Sequence, residues 1–428
     1  MTVRQLPAFR NADRTRRAFL VTYGASHVAK VIPVVRELER QGVECLVMAL
    51  TVGYKRARQM GLQPIGYRDF LALAREPEAI VALGESLSGG NTHPDVNPDE
   101  SSCYLGFNYQ EWIDALGVDG AAKAYAERGR QGFIPVEFMG RVLDALQPGV
   151  VVATSTPRSE EACIRAAVAR GIPSLTMVDL FAPPSDPFLR RPVQADRITV
   201  VSEEVKVQFV AAGLRPSQVC VTGSPDFDGL FDPATRCAGA DFLRQKGWEG
   251  FKVVMWAGIL ERDDPSVLPE YRGRGLAMVV ENVLRRWVKA QRHTALIVRY
   301  HPNQYHQFED LGAQDRVYVS DPGKEPIGFL LHASDVVVHQ ISTVGFEAAL
   351  LHKRVLHLGF SKWVSNVDFD LSSFGPSACV PTLDRLVPTL DAPLPGPHGR
   401  KMTIPDGPAA PRVAGEILRL LDDSRRAH

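Results

Sequence analysis

The sequence predicts an α/β protein built from two consecutive domains, each a parallel sheet with helices on its faces. Residues 18–50 show a strand, a helix and a second strand, and the same alternation begins again at residue 252. The stretch 335–359, DVVVHQISTVGFEAALLHKRVLHLG, shows one further strand–loop–helix–strand unit. Because parallel strands need helical crossovers, these three observations together predict the fold class.

The chain of 428 residues is long enough for two domains of about 200 residues each. We expect a first Rossmann-like domain at 1–230, a linker at 231–250, a second Rossmann-like domain at 251–395, and a Pro-rich tail with a closing helix at 396–428. We expect the two domains to face each other across a cleft, and the closing helix to return to the first domain.

Apolar runs and helical periodicity predict the individual elements. Predicted strands lie at 18–22, 44–50, 150–153, 174–178, 197–201, 219–222, 252–256, 295–299, 317–319, 336–338 and 355–358. Predicted helices lie at 28–40, 136–146, 160–170, 203–212, 276–290, 327–332, 346–351 and 414–421. Three hydroxyl residues at 154–156 are predicted to cap the helix at 160–170.

Residues 60–135 are less regular and include a stretch rich in Gly, Asn, Asp and Pro. Two interpretations have equal weight. The stretch is either a polar loop whose aromatic residues close over a bound partner, or a helix-to-helix insertion with its own small apolar cluster. The aromatic residues concerned are Tyr104, Phe107, Tyr109 and Trp112.

The net charge, the cysteines and the lengths of the apolar runs indicate which kinds of partner and which cell compartment to expect. The formal net charge is zero, with 49 basic and 49 acidic residues, which argues against nucleic acid as a main partner. The six cysteines include no CxxC pair and indicate reduced core thiols. Because the sequence has no signal-peptide core and no apolar run of about 18 residues, we expect a cytoplasmic protein. Arginines near the N-terminus leave peripheral contact with the inner face of a membrane as an alternative.

The loop of the 335–359 unit is a candidate phosphate site. Ser342 and Thr343 lie between the strand and the helix, where hydroxyls and unpaired N–H groups favour phosphate, and the small residue Gly345 follows. Glu347 shares a helix face with Thr343, so its carboxylate is placed to accept from ribose hydroxyls. An ordinary N-cap and a first-turn acid are the structural alternatives.

Two histidines also follow predicted strands. His301 and Asn303 come directly after the strand at 295–299, so His301 is placed to donate to a phosphate oxygen or to protonate a leaving group. His27 follows the first strand, and the ordinary histidine pKa of about 6.5 suits a general base acting on a hydroxyl. Helix capping or packing is the alternative for His27, and a loop position without a special role is the alternative for His301.

Three blocks of sequence resemble the GT-B superfamily of nucleotide-sugar glycosyltransferases and the related UDP-GlcNAc 2-epimerases: GASHVAKVIPVVRELERQGVE, RYHPN and STVGFEAALLHKRVLHLG. The first is similar to a shortened Gly-His-x-x-Pro helix of UDP-glycosyltransferases, which implies that His27 stands at the position of the catalytic base. The other two resemble the HP and Ser/Thr motifs of CMP-dependent sialyl- and Kdo-transferases of bacterial surface polysaccharides.

The chain departs from both groups. The Gly-Asp-Thr and His-Val-Glu-Ala-Gly motifs of the 2-epimerases are replaced by ATST at 153–156 and TMVD at 176–179, which argues against epimerase chemistry. The Asp/Glu-Asp/Glu-Gly motif of the sialyltransferases has no clear counterpart. The general base therefore stays open between His27 and an acid such as Asp179 or Asp95.

The resemblance implies a GT-B glycosyltransferase without metal or cofactor, with the nucleotide-sugar as co-substrate. It would transfer a sugar from a CMP- or UDP-activated donor to a glycan or lipid-linked hydroxyl acceptor in polysaccharide, capsule or glycolipid biosynthesis. The implied catalytic residues are His27, Asp179 and His301, and the implied donor-binding residues are His301, Asn303, Ser342, Thr343, Gly345 and Glu347. Alternatives are a nucleotide-sugar 2-epimerase or hydrolase, a CDP-glycerol-type polyol-phosphate transferase, and a non-catalytic nucleotide-sugar-binding protein.

Overall fold

The structure is a computed structural model that describes residues 4–89, 96–179, 185–340, 342–365, 377–393 and 403–427. The chain forms two units. The first contains Met1–Asp228 and Ile404–His428, and the second contains Gly229–Thr403. Each unit has a six-stranded sheet whose paired strands are parallel. The predicted α/β class with two domains is confirmed.

The first sheet has the strand order β2-β1-β3-β4-β5-β6. Its strands are β1 Arg17–Tyr23, β2 Glu44–Leu50, β3 Val150–Thr154, β4 Ser174–Met177, β5 Arg197–Val200 and β6 Val219–Val221. The helices of this unit that precede the second sheet are α1 Gly24–Arg40, α2 Val52–Gln59, α3 Pro77–Leu87, α4 Pro98–Arg128, α5 Val136–Leu146, α6 Ser159–Ala169 and α7 Glu203–Ala211. All six strands were predicted within one or two residues of their bounds, whereas α2 was not predicted.

Helices cover both faces of the first sheet, and β1 shows why its strands read as apolar runs. Phe19 and Val21 belong to a buried cluster with Phe138 of α5, and Ala18 and Leu20 belong to a second cluster with α1. Since successive side chains of a strand point to opposite faces, a strand buried on both faces needs apolar residues at every position.

The second sheet has the strand order β12-β11-β10-β7-β8-β9. Its strands are β7 Lys252–Gly258, β8 Thr294–Tyr300, β9 Val317–Val319, β10 Val336–His339, β11 Arg354–Leu358 and β12 Ser377–Val380. Its helices are α8 Pro233–Lys246, α9 Gly275–Ala290, α10 Ile327–Ala333, α11 Thr343–Leu350, α12 Lys362–Ser365 and α13 Leu386–Asp391. Strand β12 and helix α13 were not predicted.

The segment 231–250, predicted as a linker with a short helix, is an integral part of the second unit. Asp232 caps α8 by accepting from the backbone N–H of Ala234, and the helix ends at Gly247, whose positive φ of 66° suits glycine. A Cβ at Gly239 would lie 2.7 Å from Cβ of His332, so α8 packs directly against α10. This close packing explains why the segment is not a free linker.

The 60–135 insertion contains two packed helices, α3 and α4, which agrees with the second of the two interpretations. Gly84 and Gly106 allow the helices to approach, because a Cβ on either would overlap a carbonyl oxygen of the other helix. Aromatic side chains fill the interior: the rings of Trp112 and Phe133 lie 4.7 Å apart, and those of Tyr104 and Phe133 lie 6.1 Å apart. These aromatic residues therefore form a core instead of a lid over a partner.

The last helix, α14 Ala410–Ala427, belongs to the first unit. This agrees with the prediction that the closing helix returns to the first domain. Val413 and Ile417 of this helix pack in the same buried cluster as α1. The cysteines do not all lie in the core, contrary to the prediction: Cys103 and Cys163 are buried, but Cys237 and Cys379 are exposed. Among the described residues, no helix combines the length and the apolar character needed to cross a membrane.

Candidate functional site

The strand order reverses once in each sheet, and such a reversal opens a crevice beyond the carboxyl ends of two neighbouring strands. The neighbours are β1 and β3 in the first sheet, and β7 and β10 in the second. His27 follows β1, and Ser342 and Thr343 follow β10. Each unit therefore carries predicted site residues at its own reversal point.

The second unit has a cavity of about 220 Å³ at its reversal point. It is lined by Ala257, Gly258, Ile259, Arg299, Tyr300, His301, Pro302, Ile327, Ser342, Thr343, Val344 and Glu347. The structure thus brings together four predicted donor-binding residues from the ends of β8 and β10. Asn303 and Gly345, the other two, are not part of this lining.

Helix α11 begins at Thr343, three residues before the predicted start, and Ser342 is its N-cap. The hydroxyl oxygen of Ser342 accepts from the backbone N–H of Val344 at 3.2 Å, which leaves the hydroxyl proton available to a ligand. The start of α11 lies at the cavity, so the positive end of the helix and two hydroxyls meet there. This combination favours a phosphate.

His301 is exposed beside the same cavity, and a hydrogen bond indicates its tautomer. The backbone N–H of Asn303 donates to Nδ1 of His301 at 3.2 Å. Because Nδ1 accepts, the proton of the neutral ring lies on Nε2, which can donate to an anion. Asn303 therefore acts on the site through the orientation of His301, although it does not line the cavity.

Arg299 is a cavity residue that the sequence reasoning missed. Its guanidinium is buried, with Nη1 donating to Ser320 Oγ at 2.7 Å and Nη2 donating to the carbonyl oxygen of Glu325 at 2.8 Å. Burial lowers the pKa of Arg299, while Glu325 and Glu347 oppose that shift, so the group keeps its charge. Its position in the RYHPN block, inside a predicted buried strand, was the available signal.

Gly345 is explained by packing. A Cβ at this position would lie 2.6 Å from Cε1 of His339, the last residue of β10. The His339 ring is buried, and burial together with the neighbouring His357 lowers its pKa to about 3, so it is neutral. A glycine is therefore needed to accommodate this ring under the first turn of α11.

In the first unit, α1 begins at Gly24, so His27 lies in its first turn instead of in the predicted preceding turn. The imidazole is mostly buried, with 16% of the side chain exposed. Its Nδ1 lies 2.9 Å from Thr154 Oγ1 and 3.3 Å from Thr156 Oγ1. The side chain thus lies between the ends of β1 and β3.

Glu160 is a second residue that the sequence reasoning missed, and it determines the direction of these hydrogen bonds. Its buried carboxylate accepts from Thr154 Oγ1 at 2.6 Å and from Thr156 Oγ1 at 2.8 Å. Each hydroxyl has one proton, and both protons are directed to Glu160, so Nδ1 of His27 must be the donor to Thr154. The Nε2 of neutral His27 therefore has a free lone pair.

The hydroxyl residues at 154–156 thus have a different function from the predicted cap. The N-cap of α6 is Arg158, which has a φ of 74° and makes no side-chain cap hydrogen bond. Burial lowers the pKa of His27, and Asp179 opposes that shift. His27 is consequently neutral near pH 7, as a general base must be.

Asp179, the second candidate base, lies beside His27, with its Oδ2 3.9 Å from Nε2 of His27. Its carboxylate is 61% exposed and pairs with Nζ of the buried Lys30 at 3.1 Å. A carboxylate beside a cation takes up a proton less readily than a neutral imidazole. The geometry therefore favours His27 as the base and Asp179 as a partner for the imidazolium. Asp95 lies outside the described residues.

The described residues contain no group of three or more His, Cys, Asp and Glu side chains that could hold a metal ion. No protein-family model and no curated protein matches the sequence.

Solved structures, in contrast, match almost the whole chain. The UDP-GlcNAc 2-epimerase of Methanocaldococcus jannaschii has a TM-score of 0.57 at 12% identity, covering 94% of this chain and 99% of the other. The enzyme of the same name from Neisseria meningitidis, bound to UDP-GlcNAc, has a TM-score of 0.52 at 14% identity, covering 95% and 100%. A variant of the wall teichoic acid polymerase TagF has a TM-score of 0.52 at 10% identity, covering 97% and 90%.

The chain has the GT-B fold. The predicted resemblance to GT-B nucleotide-sugar enzymes, with UDP-GlcNAc 2-epimerases as structural relatives, is confirmed at the level of the fold. Within this GT-B fold, the second unit carries a cavity with a buried arginine at a helix start, and the first carries a neutral imidazole with a free lone pair.

We expect Gly345→Ala to lower the free energy of unfolding by about 1–3 kcal/mol, because the added methyl group would displace the His339 ring. The control is Gly415→Ala in helix α14, where, apart from the two chain neighbours and the backbone of the helix itself, no described atom lies within 4 Å of the new Cβ. That change should stabilise by up to about 1 kcal/mol. Thermal unfolding of both variants checks the prediction, and an unchanged melting temperature for Gly345→Ala would contradict the packing explanation.

We expect neutral His27 to carry its proton on Nδ1, with a pKa below the ordinary value of 6.5. Nitrogen-15 NMR of the imidazole measures both. Glu160→Gln keeps an acceptor oxygen for the two hydroxyls and should keep this tautomer. Glu160→Leu frees the proton of Thr154 to donate to Nδ1, so the proton of His27 should move to Nε2. An Nε2-protonated ring in the wild type would refute the assignment.

We expect Glu160 to make stability depend on pH. Burial raises the pKa of Glu160 from 4.5 to about 7, so the folded protein binds this proton more tightly than the unfolded chain. Its contribution to stability is therefore present below pH 4.5 and is lost as the pH rises through 7, by roughly 1–3 kcal/mol. Relative to Glu160→Gln, the melting temperature of the wild type should fall over this range, while the exposed control Glu249→Gln should follow the wild type.

Proposed function

We propose that this protein is a glycosyltransferase that moves a sugar from a nucleotide-activated donor to a hydroxyl acceptor in glycan, capsule or glycolipid biosynthesis. The observation that carries the proposal is the cavity at the reversal point of the second sheet. It combines the buried cation of Arg299, the Nε2–H of His301 and the positive end of α11. Structures with this fold include enzymes solved with UDP-GlcNAc or UDP bound, which supports a nucleotide-sugar ligand.

Each donor in this cavity suits one part of a nucleotide-sugar. The start of α11, with the hydroxyls of Ser342 and Thr343, suits the phosphates, because a helix N-terminus favours negative charge. Arg299 adds a full positive charge to the same cavity. Glu347 also lines it, and a carboxylate can accept from the two hydroxyls of a ribose.

The proposed reaction transfers one proton, forms one bond to the sugar and breaks one bond to the phosphate. Nε2 of His27 takes the proton of the acceptor hydroxyl, and the acceptor oxygen forms a bond to the anomeric carbon of the sugar. The bond from that carbon to the phosphate oxygen breaks, and its electron pair leaves with the nucleotide. Arg299, His301 and the positive end of α11 stabilise the charge that develops on the leaving phosphate. Asp179 then pairs with the imidazolium of His27.

A second candidate is a nucleotide-sugar epimerase or hydrolase, which the shared fold with UDP-GlcNAc 2-epimerases favours. The two candidates differ in their need for an acceptor. An epimerase or hydrolase converts the donor alone, whereas a glycosyltransferase releases nucleotide in proportion to the sugar that reaches the acceptor. Analysis of products with and without acceptor therefore separates them.

We expect one or more of UDP, CMP, CDP, GDP and dTDP to stabilise the protein. At about 100 times its dissociation constant, a bound nucleotide should add roughly 2.7 kcal/mol to the free energy of unfolding. The double variant Ser342→Ala with Thr343→Ala, and separately His301→Ala, should each weaken binding of that nucleotide by about tenfold or more, since each removes donors to phosphate. Thermal shift and calorimetric titration measure both effects.

Two controls make this test specific. Ser266→Ala removes an exposed hydroxyl of the same unit outside the cavity and should leave nucleotide affinity unchanged. His27→Ala should also leave nucleotide affinity unchanged, but should lower sugar transfer by about 100-fold or more. If none of the five nucleotides stabilises the protein, the donor site is wrong; if His27→Ala keeps full transfer activity, the base is wrong.

A further inference from the structure

The first unit has a larger cavity that the donor site and His27 do not use. Its volume is about 650 Å³, and it lies where β2 ends and α2 begins. It is lined by Thr51, Tyr54, Lys55, Arg58, Gln59, Arg68, Val96, Asn97, Pro98 and Glu100. Three of these side chains are cationic and one is acidic, so the cavity has an excess of positive charge in a chain whose formal net charge is zero.

Arg68 is held in place at the wall of this cavity. Its Nη2 donates to the hydroxyl of Tyr54 at 3.3 Å, and its guanidinium carbon lies 5.6 Å from the centre of the Tyr54 ring. Among the described residues, its buried Nε has no hydrogen-bond partner. A buried N–H group normally finds an acceptor, so this part of Arg68 suits an oxyanion.

Glu100, the acid of the cavity, offsets these cations only in part. Its buried carboxylate accepts from the backbone N–H of Tyr67 at 2.6 Å and from that of Arg68 at 3.1 Å, so its oxygens are committed to the backbone. Burial raises the pKa of Glu100 to about 7. The carboxyl group is therefore only partly ionised near neutral pH, so the three cations outweigh it among the lining residues that the structure describes.

Two of the three cationic residues of helix α2 line the cavity. The sequence of the helix, VGYKRARQ, contains three cations and no acid. Lys55 and Arg58 are three residues apart on one face of the helix and both line the cavity, whereas Arg56 does not. The lining cations are thus distinguished from a generally basic helix surface, and Arg56 is a natural control.

The cationic cavity adjoins a second one of about 340 Å³, since Thr51, Val96 and Glu100 line both. The walls of this second cavity are mainly apolar and include Leu50 and Tyr104, and it extends to Gly24, where α1 begins. His27 follows three residues later, in the first turn of the same helix. A ligand anchored by its charge in the first cavity can therefore extend toward the end of β1.

We propose that Lys55, Arg58 and Arg68 bind a phosphate or diphosphate group, and that this group belongs to the acceptor. The second clause rests on the proposed glycosyltransferase function, whereas the binding of phosphate does not. Arginine suits this ligand because its planar fork donates two parallel hydrogen bonds to phosphate oxygens. The acceptor is accordingly a phosphorylated or diphosphate-linked hydroxyl compound.

Hydrogen–deuterium exchange of the full chain with inorganic diphosphate, at low ionic strength, tests the site directly. Bound diphosphate should slow exchange in peptides covering 52–59 and 67–73, with a midpoint that rises with salt concentration. Arg58→Glu should raise that midpoint at least tenfold, whereas Arg56→Glu, on the same helix with the same change of charge, should change it less than twofold. Equal effects of the two variants would show diffuse surface electrostatics and overturn the proposal.

Three further arms locate the source of the effect. Citrate at equal concentration should protect these peptides less than diphosphate, and equal protection would overturn the assignment to phosphate. Vesicles of phosphatidylglycerol that protect the peptides when diphosphate does not would overturn it in favour of a membrane surface. Protection of residues 343–350 by nucleotide is read in the same experiment. Its absence, together with protection of 52–59 by diphosphate, would refute the donor site and leave the phosphate site standing.

Discussion

Parallel strand pairing is the constraint on which both units depend. Every pair of neighbouring strands runs parallel, so the chain must return through a crossover after each strand, and the order of crossovers reverses once in each sheet. Only at the reversal do two loops leave neighbouring strand ends in opposite directions and open a space between them. His27 with Thr154 occupies this position in the first sheet, and Ser342 with Gly258 occupies it in the second. The location of both candidate sites thus follows from topology.

The same constraint explains how much of the fold the sequence could predict. Strands such as β1 are buried on both faces, so they appear as uninterrupted apolar runs with clear ends. Elements with a weaker signal were missed: α2 has a mostly polar sequence, and β12 has only four residues at the edge of its sheet. The 98–128 helix stayed ambiguous because its glycines and polar residues are typical of a loop. This helix packs closely against α3 through Gly84 and Gly106, and a contact between two separate segments cannot be read from the local sequence of either.

The candidate sites were predictable where a polar residue interrupts the pattern at a strand end, as His27 and His301 do. Arg299 and Glu160 lie inside a strand and a helix, where the apolar pattern indicates packing. Their roles appear only once the fold is known: Arg299 donates to Ser320, 21 residues further along the chain, and Glu160 accepts from two threonines that contact His27, which is 127 residues from Thr154. The RYHPN block draws attention to Arg299, but the apolar pattern of a strand or helix does not contain these contacts.

The two histidines had the same signal in the sequence, yet their hydrogen bonds give them opposite chemistry. At His301 a backbone N–H occupies Nδ1 and leaves a proton on Nε2, whereas at His27 a hydroxyl oxygen occupies Nδ1 and leaves a lone pair on Nε2. The neighbouring charges fit this difference, because the cation Arg299 lines the cavity beside His301 and the anion Asp179 lies beside His27. A leaving phosphate needs a proton donor and a cation, and a base needs a lone pair and an anion to stabilise its protonated form. If the two proposed roles were exchanged, His301 would be a base with a protonated Nε2 beside a cation, and His27 would be a proton donor with an unprotonated Nε2 beside an anion.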